Sequence, residues 1–128
     1  MLYTCYFAKE IALKENGIVQ VAISRSTPNF YNGLSYSRLA PPWSIIKEYK
    51  EDGDWEKYTK RYKSMVLDKL NPRLAYDEIM RMVKELTGKE VFDVALMCYE
   101  KSGTHCHREL VSLWFNDAGI QCKEWFSK

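Results

Sequence analysis

The sequence lacks the features that would place the chain in a membrane or attach it to nucleic acid through bulk charge. No run approaches the roughly 18 apolar residues of a membrane-spanning helix, and the start MLYTCYFAKE has no basic segment followed by a long apolar stretch. The net charge is only +2, whereas a dedicated DNA-binding protein is usually far more basic. We therefore expect a soluble, cytoplasmic protein in which any phosphate site is local.

The sequence also has no CxxC pair, no internal repeat and no low-complexity segment. Without a secretory signal, its four cysteines are expected to be reduced thiols. Cys5 and Cys122 each lie in a short strand-like run, where a buried, inert thiol is the expected state.

The composition is that of a globular protein. Hydrophobic residues make up 46% of the chain and aromatic residues 14%, which is enough for a core and for stacking surfaces. A chain of 128 residues usually forms one domain, so residues 1–128 are predicted to fold as a single unit.

The pattern along the chain alternates strands with helices. Segments 2–7, 17–24, 91–99 and 120–125 read as strands, and 25–42 is a loop by its composition. Helices are predicted from a cap at Asp54 to 70, over 74–86 with Gly88 after the last turn, and over 106–118 before Gly119. This order predicts a small three-layer α/β domain with a largely parallel sheet flanked by helices.

The segment LMCYEKSGTHCHREL, residues 96–110, is the densest in chemically active side chains. It joins the end of a buried strand to the start of a helix, and ligands of open α/β sheets bind at that edge. Backbone N–H groups and the positive end of the helix dipole favour an anion there. The segment therefore predicts an anion-binding site.

Three residues of this segment are candidates for catalysis: Glu100, Cys106 and His107. A cysteine at a helix N-terminus beside a histidine has its thiolate favoured, which is the condition for a nucleophile. Glu100 follows the strand and is suited to general base catalysis if it is partly buried. The alternatives are a small buried cysteine, a histidine bonded to a backbone carbonyl, and a surface salt bridge between Glu100 and Lys101.

Metal binding is a further alternative, because Cys98, His105, Cys106 and His107 are borderline-soft ligands within ten residues. The spacing argues against it, since adjacent residues at a helix start are not expected to face one ion. No metal ligand is assigned, and no cofactor is identified.

Several residues are predicted to bind the ligand. Arg25 follows the strand at 17–24 and should share one crevice with Glu100, while the loop beyond it supplies aromatic rings that stack a base beside cations. Arg108 points away from the apolar stripe of its helix, so it either grips a ligand at the rim or pairs with a carboxylate. The predicted ligand-binding residues are Arg25, Tyr31, Tyr36, Lys101 and Arg108.

These motifs resemble the family catalogued as domain of unknown function 488. The resemblance lies in the C-x-E motif of Cys98 and Glu100, the C-H-R motif at 106–108, VAISR at 21–25, PNFYNGLSYSRLAP at 28–41, EYK at 48–50, WEKYTKRY at 55–62, and Trp125. It implies a compact α/β domain and marks Arg25, Tyr36, Glu100, Cys106, His107 and Arg108 as motif positions. It implies no reaction.

The function predicted from the sequence is an enzyme-like site for a phosphorylated, base-containing ligand, either a nucleotide or a nucleic acid. The first alternative is a non-catalytic module that sequesters a ligand or binds a protein through the same pocket. A zinc-stabilised structural domain is the second alternative.

Overall fold

The computed structural model describes residues 1–100 and 104–127. Within them, five strands form one sheet in the order β3-β2-β4-β1-β5, and every neighbouring pair is parallel. The strands are β1 (Leu2–Tyr6), β2 (Ile18–Ala22), β3 (Leu34–Ser35), β4 (Asp93–Cys98) and β5 (Cys122–Glu124). The predicted α/β class with a parallel sheet is confirmed.

In the described ranges, five α-helices connect or follow these strands, together with three short 3₁₀ turns at Phe7–Lys9, Ser37–Leu39 and Leu67–Lys69. The helices are α1 (Glu10–Glu15), α2 (Trp43–Asp52), α3 (Trp55–Met65), α4 (Pro72–Thr87) and α5 (His107–Asp117). None of the helices in the described part of the chain is long and apolar enough to cross a membrane.

Helices cover both faces of the sheet. Alternate residues of β4 point to opposite sides: Val94 and Leu96 join the larger core with α3, α4 and α5, while Ala95 and Met97 join a smaller core with α1. Both faces of this strand are therefore apolar, which explains its nearly continuous hydrophobic sequence.

Local signals explain where several helices begin and end. The Asp54 side chain accepts a hydrogen bond from the Lys57 backbone N–H at 3.0 Å, which caps α3. The Asn71 side chain caps α4 in the same way, and Pro72 occupies its first turn. Gly88 adopts a φ of +70° after α4, the left-handed conformation that glycine tolerates best.

Two predictions about elements were wrong. Residues predicted to continue the third helix to 70 instead leave it at Met65 and form the 3₁₀ turn Leu67–Lys69. The short strand β3 lies inside the predicted loop, where it adds to the edge of β2 through backbone pairing rather than through a hydrophobic pattern of its own.

Candidate functional site

A cavity of about 520 Å³ opens at the carboxyl edge of the sheet. It is bounded by the residues that follow β2 and β4, by α2 and the start of α3, and by the N-terminus of α5. Its described lining includes Arg25, Trp43, Lys50, Trp55, Tyr58, Glu100, Cys98, Cys106 and His107. The structure thus brings Arg25 and Glu100 to one crevice beside the start of α5.

Cys106 is the N-cap of α5 and His107 is its first residue. The backbone of Cys106 is extended, with φ −151° and ψ 150°, so its side chain does not follow the helical rotation of the residues after it. As a result, Cys106 Sγ lies 3.6 Å from His107 Nδ1. Adjacent residues at a helix start were not expected to face one metal ion. That expectation was wrong, because the backbone turns between Cys106 and His107.

The position of the His107 ring is set by a backbone carbonyl. Nε2 lies 2.7 Å from the carbonyl oxygen of Ile23, and since a carbonyl only accepts, Nε2 carries the hydrogen and Nδ1 keeps its lone pair. Burial lowers the pKa of His107 to about 4; the bond to Ile23 opposes this effect and the charge of Arg108 adds to it. His107 is therefore a neutral imidazole at pH 7, with Nδ1 directed at the cysteine sulfur.

Cys98 ends β4, and its sulfur is bonded to that of Cys106. We expected reduced thiols because the sequence contains no CxxC pair, but a strand end and a helix start that fold back together bring the two sulfurs into contact without that spacing. Both cysteines border the cavity and both are buried. Cys5 and Cys122 are free and buried.

Arg108 is 3% exposed and lies beneath the site. Its Nε and Nη2 donate to the two carboxylate oxygens of Glu124 at 3.0 and 2.9 Å. Its Nη1 donates to the Glu100 carbonyl and, at 3.1 Å, to the sulfur of Cys98. Of the two alternatives for Arg108, the structure shows the carboxylate partner, and the guanidinium holds the strand end and the helix start together.

The aromatic rings of the cavity come mainly from α2 and α3. Trp55 stacks on Tyr58 at a centroid distance of 5.0 Å and on His105 at 4.5 Å, so both of its faces are covered. Trp43 is 47% exposed, with the Arg25 guanidinium 5.9 Å and the Lys50 ammonium 5.3 Å from the ring centre. Trp43 is therefore an exposed aromatic ring of the cavity lining with two cationic groups close to it.

Neither Tyr31 nor Tyr36 is among the described residues that line the cavity. Tyr36 is 5% exposed in the larger core, and its hydroxyl donates to Glu78 at 3.1 Å. Tyr31 packs edge-on against Phe7 with the smaller core, and its hydroxyl donates to the Leu34 carbonyl. These two rings therefore pack in the two cores of the sheet and do not form the stacking surface that the loop composition predicted.

The remaining predicted residues divide into three cases. Glu100 lines the cavity but is exposed rather than partly buried. His105 is exposed, and its Nδ1 lies 3.0 Å from a carboxylate oxygen of Glu109, away from the two cysteines. Lys101, predicted to bind ligand, lies outside the described residues.

Sequence reasoning missed several contributors, among them the cavity-lining rings of Trp55 and Tyr58 as well as Glu124 and Lys50. Glu124 follows Arg108 by sixteen residues, and no local pattern connects them. Lys50 lies on α2, a helix that was not predicted from the sequence. For Lys50 there was one usable signal, the EYK motif at 48–50 that contains it, whereas for Glu124 there was none.

These features define a small, parallel-sheet α/β protein in which Cys98, Cys106 and His107 meet beside a cavity lined by aromatic and cationic side chains. The family model described as the active DUF488-N3 subclade matches residues 13–119. The match covers most of the chain, so the chain belongs to the DUF488 family, and the resemblance read from the motifs is confirmed. No curated protein and no solved structure shows significant similarity to it.

Proposed function

We propose that the cavity binds a phosphorylated, base-containing compound, either a free nucleotide or a nucleotide unit of a nucleic acid, and presents it to Glu100, Cys106 and His107. One observation carries the proposal: the exposed indole of Trp43 lines the cavity, with the cationic groups of Arg25 and Lys50 within 6 Å of its ring centre. A base stacks on an indole face, and neighbouring cations attract its phosphate.

The size of the cavity supports a ligand of this class. About 520 Å³ lies within the usual range of roughly 300–1,000 Å³ for small-molecule sites. Tyr58, Trp55 and His105 stack nearly parallel to one another, so one wall of the cavity presents planar aromatic surface. Such a wall favours a flat ligand over a flexible one.

The charges of the site suit a phosphate at its mouth rather than at its floor. Arg108 already satisfies Glu124 and the Glu100 carbonyl, so it stabilises the floor. Arg25 and Lys50 are exposed at the rim, where an anion reaches them without the cost of burying a charge. With its phosphate held at the rim, the rest of the ligand would extend toward Glu100, Cys106 and His107.

The test is calorimetric titration with nucleoside mono-, di- and triphosphates and with short single-stranded oligonucleotides. Trp43→Ala and Arg25→Ala should each weaken binding by about tenfold, the effect of losing a stacking or charged contact of 1–3 kcal/mol. Arg73→Ala is the matched control, since Arg73 lies 5.8 Å from the Tyr76 ring centre, in an arginine–aromatic pair outside the cavity lining. Equal affinities in all three variants, or no binding by the unmodified protein, would refute the proposal.

A second candidate function, binding without turnover, is favoured by the bond between Cys98 and Cys106. A sulfur within a disulfide is not a free thiolate, so Cys106 cannot attack a ligand in that arrangement. Bound ligand should be recovered and weighed by mass spectrometry after incubation with the oxidised and with the reduced protein. A product formed only after reduction supports catalysis, and intact ligand from both supports binding alone.

A further inference from the structure

We propose that the reduced protein binds one zinc ion through Cys98 Sγ, Cys106 Sγ and His107 Nδ1, with a fourth coordination position open to the cavity. The three ligand atoms lie within 4.8 Å of one another. Their residues are buried, at 1%, 5% and 5% exposure, and all three border the cavity. This site goes beyond the proposed function and does not depend on it.

The distance between neighbouring ligands has the value that zinc requires. With a Zn–S bond of about 2.3 Å and a Zn–N bond of about 2.0–2.1 Å, tetrahedral angles separate sulfur and nitrogen ligands by about 3.6 Å. Cys106 Sγ and His107 Nδ1 are 3.6 Å apart. The turn at the N-cap therefore already places two ligands as one ion would hold them.

The separation of the two cysteines also accommodates an ion. Their Cα atoms are 7.5 Å apart, beyond the roughly 4.4–6.8 Å that disulfides usually span. A tetrahedral zinc ion holds two sulfurs about 3.8 Å apart, a wider bridge than a direct bond of about 2.05 Å. Cα atoms at this separation are better suited to the wider bridge.

The surroundings supply the second shell of a metal site. A metal-bound histidine usually donates its other ring N–H to a carboxylate, carbonyl or water, and His107 donates Nε2–H to the Ile23 carbonyl at 2.7 Å. Arg108 Nη1 donates to Cys98 Sγ at 3.1 Å, as expected of a partner for a thiolate. With two thiolates, Zn²⁺, Arg108 and Glu124, the formal charges of the cluster sum to zero.

Metal binding and the disulfide exclude each other. A dithiol reductant gives two electrons and two protons to the Cys98–Cys106 bond, which yields two thiols while the reductant closes to a cyclic disulfide. Zinc then displaces both thiol protons and takes the lone pair of His107 Nδ1. Three protein ligands with one open position are the arrangement of catalytic rather than structural zinc.

The experiment uses the full chain, reduced without oxygen, freed of metal with a chelator and of excess reductant by gel filtration. Titration with Co²⁺, followed by Zn²⁺ as competitor, should give one equivalent of a tetrahedral cobalt–thiolate spectrum that zinc removes. Cys98→Ser, Cys106→Ser and His107→Gln should each weaken metal binding by more than about tenfold, at least the cost of losing a second-shell partner. Cys5→Ser and His105→Gln are matched controls that should bind as the unmodified protein does.

Because the substituted residues are buried, a second measurement uses no variant. X-ray absorption of the zinc-loaded protein should show two sulfur ligands at about 2.3 Å and a nitrogen at about 2.0–2.1 Å. A zinc shell of oxygen and nitrogen only, failure of the reduced protein to bind cobalt, or unchanged binding by the His107→Gln protein would each overturn the proposal. Nucleotide affinity measured on the same samples reports separately on the cavity.

Discussion

Arg108 and Glu124 form a two-point ion pair, at 3.0 and 2.9 Å, that fixes the first turn of α5 to the last strand of the sheet. Thr4 Oγ1 of β1 donates to the same carboxylate at 2.7 Å. The ring of Tyr6, on that strand, lies 5.7 Å from the guanidinium. The pair therefore connects three elements directly beneath the candidate site.

Glu124→Gln should destabilise the protein by about 3 kcal/mol, at the lower end of the range for breaking a buried pair, because the Glu124 side chain is 22% exposed. The reason is that the buried Arg108 charge would lose its counter-charge. Urea unfolding measures the change. Glu90→Gln is the control, since Lys84 and Glu90 form an exposed ion pair that should contribute less than about 1 kcal/mol to stability. Similar losses of stability in both variants would contradict this account.

Asp54→Ala should lower the free energy of unfolding by about 1 kcal/mol, because the Asp54 side chain accepts a hydrogen bond from the Lys57 N–H at the start of α3. The same helix places Trp55 and Tyr58 in the wall of the cavity, so its first turn matters for the site as well. Thermal or urea unfolding gives the stability change. Glu56→Ala, in the same turn, is the control. Its change in the free energy of unfolding should be less than half of the change caused by Asp54→Ala.

Tyr36→Phe should leave nucleotide affinity unchanged and lower stability by about 1 kcal/mol, the value of one hydrogen bond. Tyr36 is buried in the larger core, and its hydroxyl donates to Glu78 rather than facing the cavity. Calorimetric titration beside urea unfolding separates the two effects. A loss of affinity with unchanged stability would instead support the role in ligand binding predicted from the sequence.

Stability should fall as pH rises from about 9 to about 11, in part because of Cys122. Burial raises the pKa of this thiol to about 11, while a hydrogen bond from Ser112 opposes the shift and Glu124 adds to it. Since the folded state holds the thiol proton more tightly, this contribution to stability is full below the unfolded thiol pKa near 9. It is lost as the pH rises through about 11, by at most about 3 kcal/mol. Urea unfolding between pH 8 and pH 10 should show a smaller decline for Cys122→Ala; equal declines would assign the effect to other groups.

Much of the fold follows from short-range patterns. The alternation of strands and helices, the cap at Asp54 and the glycine stop at Gly88 each depend on residues within a few positions of one another. The same is true of the position of Cys106, at a helix start that follows a buried strand. Helix α2 was missed because it follows a proline-rich loop with no polar cap, its N-cap being Pro42.

Local sequence determined at which strand end or helix start each candidate site residue lies, because hydrogen-bonded turns and apolar periodicity are short-range effects. Tertiary structure decided which of those groups meet. The contacts of Arg108 with Glu124, of Cys98 with Cys106, and of Arg25 with Trp43 join residues 8 to 18 positions apart, and they form only when the sheet and its helices pack. Burial in that packing also makes His107 neutral and keeps Tyr36 out of the cavity, which composition and spacing could not determine.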